Sequence, residues 1–404
     1  MRILMINSVC GIRSTGRICT DLASVLLEQG HDVCIAYGRE IAPESFRDIS
    51  LRMGSSVDFL LHVMKARLSD SSGLGSKRPT QKLIEWIKEY DPDVIHLHNV
   101  HGYYLNYQVL FSFLRRINKP IVWTFHDCWV FTGHCSHFDL IGCDKWVSGC
   151  NRCPQQREYP RTILFDRSQR NYIQKKEAFH SVDNLTIVTP SFWLKQKVEK
   201  SFLRDKECIV IRNGVDKSTF KPTESDIKDR YQLQNKKVIL GVSSVWNERK
   251  GLDDFVKLSN ILTDDYQIVL IGISAIRRKH LVNTRIICID RTDSPRELAE
   301  WYSLAYCFVN LTYEDNFPTV NLEALSCGTP VVTYQTGGSP ESIGNKCGIA
   351  ISQGDIQSVA FALARNNFDR SECLKQSEKF DKKICFGEYV SLYQTKLEKN
   401  MGFY

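Results

Sequence analysis

Residues 312–341 read TYEDNFPTVNLEALSCGTPVVTYQTGGSPE and decide the fold. A loop with acidic residues leads into a helix-like run, NLEALSCG, and then into an apolar strand, PVVTY, that ends at Gly337-Gly338. A helix N-terminus presents free backbone N–H groups and a partial positive charge, which suit an anionic ligand. The carboxylates of Asp315 and Glu323, with seven residues between them, can accept hydrogen bonds from sugar hydroxyls. The segment therefore predicts a loop–helix–strand unit that holds a nucleotide-sugar.

Strand and helix signals alternate along both halves of the chain. In the first half an apolar strand, RILMIN, is followed by a loop and an amphipathic helix, and the same order starts again at KVILGVSS. Alternation of this kind predicts parallel sheets that are covered by helices on both faces. Residues 216–236 are polar and predict a linker, while residues 40–80, rich in Ser and Arg, predict a less regular segment.

The predicted fold is α/β, with two doubly wound Rossmann-like domains. Residues 1–217 would form an N-terminal, acceptor-side domain, and residues 218–385 a C-terminal domain that binds the nucleotide-sugar. Residues 386–404 would form a helix that packs back on the N-terminal domain. Because ligands of such sheets bind outside the carboxyl ends of the strands, we expect the strand-end loops of both domains to face one interdomain cleft.

The bulk composition narrows the class of protein. The chain has 404 residues, of which 43% are hydrophobic and 25% charged, as in ordinary globular domains. It has no apolar run of about 18 residues and no secretory leader pattern, so we expect a cytoplasmic protein. The net charge of +7 is spread along the chain. It fits a solvated surface, or attraction to an anionic membrane leaflet or to phosphorylated ligands, whereas a nucleic-acid binder would carry a denser basic stripe.

A basic loop lies between strand KVILGVSS and helix GLDDFV. It contains Arg249 and Lys250, followed by Gly251 where the helix begins. Two cations and a helix N-terminus can neutralise a diphosphate, so the loop predicts a phosphate site. The alternative is a pair of exposed basic side chains at a helix end.

Two further strand ends carry candidate residues. Gly16 follows the first strand and precedes the predicted first helix, where a glycine lets the backbone approach a ligand closely. The loop matches neither G-x-G-x-x-G nor a Walker A motif, so NAD and ATP are poorly supported. His126 ends the strand in PIVWTFHD and can bond a ligand hydroxyl or transfer a proton.

Three histidines end the preceding strand, in the order H-x-H-x-x-H: His96, His98 and His101. Strand alternation puts His96 and His98 on one face, which would allow a metal site. No carboxylate stands in a ligand-like position in the sequence, so substrate contact or packing at the strand end is favoured.

The chain is similar to the retaining glycosyltransferases of family 4, which have the two-domain GT-B fold. The resemblance covers nearly the whole length, through RILMIN with the Gly16 loop, DVIHLHN, TFHD, IVIRNGVDKSTFKP, RKGLDDF and EDNFPTVNLEALSCGTPVVTYQTGGSPE. The family has two glutamates with seven residues between them. By that pattern Glu323 bonds the nucleotide ribose. Asp315 takes the place of the acid that bonds the donor hexose, and Glu314, one position earlier, is the alternative for that contact.

The resemblance implies further donor contacts. His126 matches the histidine that lies against the donor sugar near the anomeric centre, and Arg291 lies where the nucleobase is held. The family usually has an arginine five residues before Lys250, but this chain has Val245, so Arg249 would supply the missing charge. The loop between the two acids would contribute the remaining donor contacts, from Asn316, Phe317, Pro318 and Thr319.

The reaction implied is transfer of a hexose-type sugar with retention at the anomeric carbon. Such enzymes have no obvious protein nucleophile, and the leaving phosphate oxygen deprotonates the incoming hydroxyl on the same face. Arg249, Lys250 and the Gly16 loop would stabilise the diphosphate charge, so catalysis would need no metal or other cofactor. The donor would be a UDP- or GDP-sugar.

The acceptor and its setting follow from the resemblance and from the mild positive charge. We expect a saccharide or a polyprenyl-diphosphate-linked oligosaccharide, used in cell-surface polysaccharide synthesis at the inner face of the cell membrane, with peripheral membrane contact. Nucleic acid is not an expected partner. The rival interpretations are a GT-B-type sugar-nucleotide epimerase, a non-catalytic nucleotide-sugar-binding protein and a zinc-organised interaction module.

Four of the fifteen cysteines are clustered in an insertion over about residues 128–160. They have the spacing C-x7-C-x6-C-x2-C and predict structural zinc, bound by Cys135, Cys143, Cys150 and Cys153. Reduced thiols packing a loop and disulfides are the alternatives, and Cys128, His134 and His137 are alternative ligands. The aromatic residues Trp129, Phe131 and Trp146 fit either a sugar or lipid platform or a small core.

Overall fold

The computed structural model describes residues 1–365, 367–400 and 402, without the side chain of His280. The chain divides into two compact units. The first contains Met1–Arg212 together with the residues from Phe386 onward, and the second contains Asn213–Cys385. No helix in the described part of the chain is long and apolar enough to cross a membrane.

The first unit is built on a sheet whose strands are all parallel. Three neighbouring interior strands, at residues 94–97, 121–124 and 185–189, are buried along their whole length, as expected for strands covered on both faces. The order across the sheet is β3-β2-β1-β4-β5-β6-β7. The strands are β1 (Arg2–Asn7), β2 (Asp32–Tyr37), β3 (Ser50–Arg52), β4 (Val94–Leu97), β5 (Ile121–Thr124), β6 (Leu185–Thr189) and β7 (Glu207–Val210).

Helices connect the strands of the first unit and cover the sheet. They are α1 (Arg13–Glu28), α2 (Ser56–Ser69), α3 (Lys77–Tyr90), α4 (Tyr107–Leu114), α5 (Ser168–His180) and α6 (Phe192–Lys200). The core around the sheet includes Trp123, Phe111 and Phe179, whose rings pack edge to face or tilted against one another.

The prediction of a less regular segment over residues 40–80 is wrong, because β3, α2 and the start of α3 lie there. Helix α2 begins with a capping box, in which Ser55 accepts from the backbone of Asp58 and Asp58 accepts from the backbone of Ser55. Its buried residues are only His62 and Ala66. The sequence does carry apolar residues at helical spacing here, and this signal was missed; they are Val57, Leu60, Leu61, Met64 and Leu68.

The second unit contains a second parallel sheet. The order of its described strands is β10-β9-β8-β11-β12-β13. These strands are β8 (Lys237–Val242), β9 (Tyr266–Ile271), β10 (Ile287–Ile289), β11 (Cys307–Asn310), β12 (Val331–Tyr334) and β13 (Gly348–Ile351). The helices of this unit are α7 (Ile227–Arg230), α8 (Leu252–Ile261), α9 (Ala275–Arg278), α10 (Pro295–Leu304), α11 (Thr319–Ser326), α12 (Ile356–Ala364) and α13 (Arg370–Glu378). Two Rossmann-like α/β domains, as predicted, are thereby confirmed.

The last helix, α14 (Lys382–Asn400), begins in the second unit and continues in the first. The hydroxyl of Tyr389 lies 2.8 Å from Oγ1 of Thr124, and that of Tyr393 lies 2.7 Å from Nδ1 of His96. Both tyrosines are buried. These bonds fix α14 to the carboxyl ends of β4 and β5, and every residue in them belongs to the first unit.

The cysteine-rich insertion is part of the core of the first unit. Trp129, Phe131 and Trp146 are all buried there, and Phe138 stacks on Trp146 with ring centroids 4.9 Å apart. Of the two roles open to these aromatic residues, the structure therefore favours the core over an exposed sugar or lipid platform.

Candidate active site

Two strand-end loops of the second unit are joined by backbone hydrogen bonds. Strands β8 and β11 are neighbours in the sheet, so the loops that follow them emerge side by side. The carbonyl of Arg249 accepts from the backbone N–H of Tyr313 at 2.8 Å and from the hydroxyl of Thr312 at 3.3 Å. The predicted phosphate loop and the predicted acidic loop thus form one surface.

Lys250 and Asp315 form an ion pair on this surface. Their Nζ and Oδ2 atoms lie 2.6 Å apart, and the side chains are 21% and 23% exposed. The residues predicted to meet the diphosphate and the hexose are therefore direct neighbours. A cation and a carboxylate at this separation can bind a phosphate oxygen and a sugar hydroxyl side by side.

Gly251 sets the geometry of the phosphate loop. It ends a short 3₁₀ helix, Glu248–Lys250, and adopts a φ of +71° before α8 begins. A Cβ atom at this position would lie 2.1 Å from the carbonyl oxygen of Leu311. Only glycine fits, both because of its φ and because the acidic loop approaches so closely.

Gly251→Ala is expected to lower the free energy of unfolding by more than about 2 kcal/mol and to weaken nucleotide binding, because the clash is with backbone. Urea unfolding and UDP titration measure the two effects. The matched control is Gly328→Ala, since Gly328 has a φ of +75° but its nearest neighbouring atom would lie 3.6 Å from a Cβ. Equal losses in the two variants would contradict the argument from close approach.

The acidic loop presents Asp315 rather than Glu314. Glu314 is only 4% exposed, whereas the Asp315 side chain reaches Lys250 at the surface. The loop holds this register because Asp315 Oδ1 accepts from the backbone of Asn316 at 2.9 Å, and the Asn316 carbonyl accepts from Gly338 at 2.7 Å. The two adjacent acids therefore differ in burial, because Asp315 is partly exposed and Glu314 is not.

The other residues of this loop that were predicted to contact the donor differ in burial. The Phe317 ring lies in the core against Phe380, with centroids 5.8 Å apart, so its side chain supports the loop from within. The donor contact predicted for Phe317 stays a prediction, and it would have to use the backbone because the ring is buried. Asn316 and Pro318 are buried, and Thr319 is partly exposed as the first residue of α11.

Glu323 lies on α11 and is only 3% exposed. Its Oε2 accepts a hydrogen bond of 3.0 Å from the hydroxyl of Tyr302 on α10. Tyr302 is itself fully buried, so it holds the carboxylate in one orientation. No sequence pattern pairs a tyrosine with an acid 21 residues further on, and the role of Tyr302 was missed for that reason.

Asn321 is a second residue that the sequence did not reveal. Its amide nitrogen donates to the hydroxyls of Ser339 and Ser342 at 2.9 and 3.0 Å. Its amide oxygen accepts from Asn310 at 2.9 Å. This buried network fixes α11 between the end of β11 and the turn after β12, so it sets the direction of the helix N-terminus.

Arg291 lies apart from these loops. It is exposed in the loop after β10, the edge strand of the sheet, and β9 stands between β10 and β8. The structure therefore does not bring Arg291 to the strand end that carries Lys250.

In the first unit, the prediction that Gly16 lies in a loop is wrong. Helix α1 begins at Arg13, so Gly16 is buried in its first turn. A Cβ there would lie 3.1 Å from the Val9 side chain and 3.2 Å from the backbone nitrogen of Gly11. The glycine lets the preceding loop fold onto the helix, and Gly11, at a φ of +68°, donates to the Gly16 carbonyl at 3.1 Å.

His126 follows β5 and belongs to a cluster of strand-end histidines. Its Nε2 lies 3.0 Å from Nδ1 of His98, and the two rings are stacked. Burial lowers the pKa of His126 to about 4, although Asp127 acts in the opposite direction. The ring is therefore neutral at pH 7 and can both donate and accept a hydrogen bond.

A second pair supports this cluster. His101 Nε2 lies 2.9 Å from Oδ2 of Asp127, and His101 Nδ1 lies 3.1 Å from the hydroxyl of Tyr159. Burial acts to raise the pKa of Asp127, but His101, His137 and the backbone N–H of Trp129 together keep that pKa below its usual range. No group of three or more His, Cys, Asp or Glu side chains in the described residues is placed to hold a metal ion.

The buried His96 is expected to make stability pH-dependent. Burial lowers its pKa to about 3, so below pH 6.5 the unfolded chain takes up a proton that the folded chain does not. The free energy of unfolding should therefore fall as the pH falls from about 6.5, by up to about 1.4 kcal/mol per pH unit for this group. Urea unfolding at several pH values measures the slope. His96→Gln should make it shallower, with a constant offset above pH 7, and an unchanged slope would refute this account.

None of the fifteen cysteines, all of them among the described residues, forms a disulfide. In the predicted zinc set, Cys135 is hydrogen-bonded to Cys153, and this bond lowers the pKa of Cys153 to about 7. The sulfur of Cys150 accepts from the backbone N–H of Gly133 at 3.2 Å. The four cysteines are thus not arranged as a metal-binding group in the structure, and zinc stays a prediction. Metal analysis of the purified protein tests it, and a zinc content near zero would remove it.

Comparison with known proteins gives matches along nearly the whole chain. The profile of a family described as "Glycosyltransferase Family 4" matches residues 15–219, and that of "Glycosyl transferases group 1" matches residues 223–383. WcaC of Escherichia coli, named for colanic acid biosynthesis, is 27% identical over 274 residues, which is 66% of this chain and 65% of that protein. CapM of Staphylococcus aureus, named for capsular polysaccharide biosynthesis, is 21% identical and matches 57% of this chain. The chain spans 65% and 66% of the lengths of these relatives.

Solved structures show the same fold. The sucrose-phosphate synthase of Thermosynechococcus elongatus superposes with a TM-score of 0.71 at 17% identity, over 98% of each chain. HepE of Anabaena, solved in complex with UDP, superposes with a TM-score of 0.67 at 14% identity, over 98% of this chain and 100% of HepE. The two-domain fold expected from the sequence is confirmed by these likenesses.

Proposed function

Since the chain belongs to the group 1 glycosyltransferases, with an N-terminal half of the family 4 type and a GT-B fold, we propose that it transfers a hexose-type sugar from a nucleoside-diphosphate-sugar. The acceptor is a saccharide or a polyprenyl-diphosphate-linked oligosaccharide, in cell-surface polysaccharide synthesis at the inner face of the membrane. The names of WcaC and CapM support this assignment to polysaccharide synthesis.

The observation that carries the proposal is the pairing of Lys250 with Asp315 on loops joined by backbone bonds, in the same unit as the buried, oriented Glu323. A cation suits the donor diphosphate, and two carboxylates suit the hydroxyls of a hexose and a ribose. We assign the diphosphate to Lys250 and Arg249, the hexose to Asp315 and the ribose to Glu323. UDP is the favoured nucleotide because HepE, a protein of the same fold, was solved with UDP and UDP-glucose.

The mechanism places the catalytic work on charge stabilisation and positioning. The bond between the anomeric carbon and the diphosphate oxygen breaks, and the acceptor oxygen bonds to that carbon on the same face. The acceptor proton passes to the leaving phosphate oxygen. Because the acceptor attacks on the face that the diphosphate leaves, the proposed reaction retains configuration. Because Lys250 and Arg249 stabilise the charge that develops on the leaving oxygen, it needs no metal. In this proposal, the neutral imidazole of His126 orients the donor sugar.

A panel of UDP- and GDP-sugars, scored by thermal shift, tests the donor assignment, because a ligand that binds the folded protein raises its unfolding temperature.

Transfer to a saccharide acceptor is then followed with and without EDTA. NMR of the product determines the anomeric configuration. Inverted product would exclude the retaining mechanism. Loss of activity in EDTA with an unchanged unfolding temperature would exclude metal independence, since loss of a structural zinc would lower that temperature. Binding without turnover would favour a nucleotide-sugar-binding protein, and sugar conversion without an acceptor would favour an epimerase.

A further inference from the structure

Helix α2 carries an apolar stripe on its exposed side. Residues spaced at i, i+3, i+4, i+7 and i+11 lie within an arc of about 100° on a helix, and they form one continuous row. All members of the row are between 47% and 64% exposed. A row of this size has no counterpart on an ordinary solvated helix, whose outward face is polar. Its members are Val57, Leu60, Leu61, Met64 and Leu68.

A second exposed apolar segment continues the row beyond the end of α2. The backbone N–H of Ile163 and the hydroxyl of Thr162 both donate to the carbonyl of Arg67, at 2.7 and 3.2 Å. These bonds place Ile163, Leu164 and Phe165 beside the last turn of α2. The three side chains are between 55% and 63% exposed. We call the α2 row and residues 163–165 together the apolar ridge.

Basic residues flank the apolar ridge. The helical spacing puts Lys65 on one side of the α2 row and Arg67 on the other. Arg167 stacks on Phe165, with its guanidinium 5.8 Å from the ring centroid. Burial lowers the pKa of Lys65, and the positive charges of Lys77 and Arg167 add to the effect, so these cations lie close together.

The acids of the same segments are engaged with the protein itself. Asp58 caps α2 through Ser55. Asp70 is buried and lies 2.6 Å from Nδ1 of His134. Asp166 accepts from the backbone of Cys153 and of Ser168. Beside the apolar ridge, cations therefore outnumber acids by three to two: Lys65, Arg67 and Arg167 against Asp58 and Asp166.

We propose that the apolar ridge docks the protein on an anionic lipid bilayer, with Leu60, Leu61 and Met64 entering the interface and Lys65 and Arg67 meeting lipid phosphates. An amphipathic helix of this kind lies in the plane of the membrane surface, and its affinity combines apolar burial with attraction to anionic lipid. A second copy of the chain fits less well, because a twofold contact through the ridge would bring the same cations face to face. The inference identifies the surface that contacts the membrane in the proposed function. Its biological setting rests on that proposal.

Co-sedimentation of the full chain with vesicles tests the inference. We expect binding to vesicles of phosphatidylcholine and phosphatidylglycerol in equal amounts, and much weaker binding to phosphatidylcholine alone. Leu60→Ser combined with Leu61→Ser should weaken binding at least about tenfold. Lys65→Gln and Arg67→Gln should each weaken it about fivefold, and only on the anionic vesicles. The matched control is Phe361→Ser on α12, which removes an apolar side chain of similar exposure, 57%, and should leave binding unchanged.

Three results would overturn the inference. One is an absence of binding to either vesicle. Another is an equal loss in Phe361→Ser and in the Leu60/Leu61 variant. The third is a dimer, seen by light scattering, that the Leu60/Leu61 variant dissociates while vesicle binding persists, because the ridge would then join two copies. None of these measurements needs a sugar donor, so a protein that binds vesicles but transfers no sugar retains this inference and loses the proposed function.

Discussion

Glu323→Ala is expected to lower kcat/KM for sugar transfer by about 10²–10³. In the proposed function this carboxylate accepts hydrogen bonds from the ribose, and its position is fixed by the hydroxyl of Tyr302 at 3.0 Å. The alanine variant also leaves the buried Tyr302 hydroxyl without this acceptor, which costs about 1–3 kcal/mol of folding free energy. Initial rates at saturating acceptor measure the first effect, and urea unfolding measures the second.

Two further variants separate binding from folding. Glu323→Gln keeps an oxygen that can accept from Tyr302, so we expect near-normal stability and a kcat/KM still lowered about tenfold or more, since the charge is lost. Tyr302→Phe keeps the carboxylate but removes its anchor, so it should raise KM for the donor more than it lowers kcat. Normal turnover in both Glu323 variants would rule out the site.

The second large effect is expected for Lys250→Met, which should lower kcat/KM by about 10²–10³. The substitution removes the cation proposed to stabilise the leaving diphosphate. It also leaves Asp315, now 2.6 Å from the Lys250 ammonium, to repel the donor. UDP affinity, measured by titration calorimetry, should fall with the rate. Lys250→Arg should retain part of both, because the charge is kept while its geometry changes.

The control for Lys250 lies on helix α13. Lys375 pairs with Glu372 at 2.7 Å, and their side chains are 71% and 35% exposed. Lys375→Met should therefore change rate and stability little, as for other exposed ion pairs. In the double variant Lys250→Met with Asp315→Asn, the loss should be smaller than the product of the single losses, because the two side chains share one interaction. Strictly multiplicative losses would mean that the pair does not act as a unit.

Much of the fold could be read from local patterns. Buried parallel strands such as RILMIN and LTIVTPS are short, apolar and separated by segments with helical periodicity. This pattern does not depend on how individual side chains pack. The prediction failed at α2, where apolar residues at helical spacing were passed over because the segment was judged by its Ser and Arg content. It also failed at the start of α1, where Gly16 resembled a loop glycine and instead packs inside a helical turn.

The candidate site could be predicted only in part. The seven-residue spacing pointed to Asp315 and Glu323, and the basic pair before Gly251 pointed to Arg249 and Lys250, because each signal lies within a short stretch of sequence. The partners of these residues come from other elements. The Lys250–Asp315 pair spans 65 positions in the chain, and no local pattern encodes a contact of that separation.

Two α/β domains, the acidic loop–helix–strand unit and its basic companion loop follow from the amino-acid sequence alone. These depend on residue periodicity, charge and turn chemistry, which act over a few neighbouring positions. Folding is needed before Asp315, rather than Glu314, faces Lys250, before Tyr302 orients Glu323 and before the aromatic residues of the insertion join the core. Burial and hydrogen-bond partners are properties of surfaces that meet after folding, so residues 21 to 65 positions apart acquire their roles only when the sheet brings their loops together.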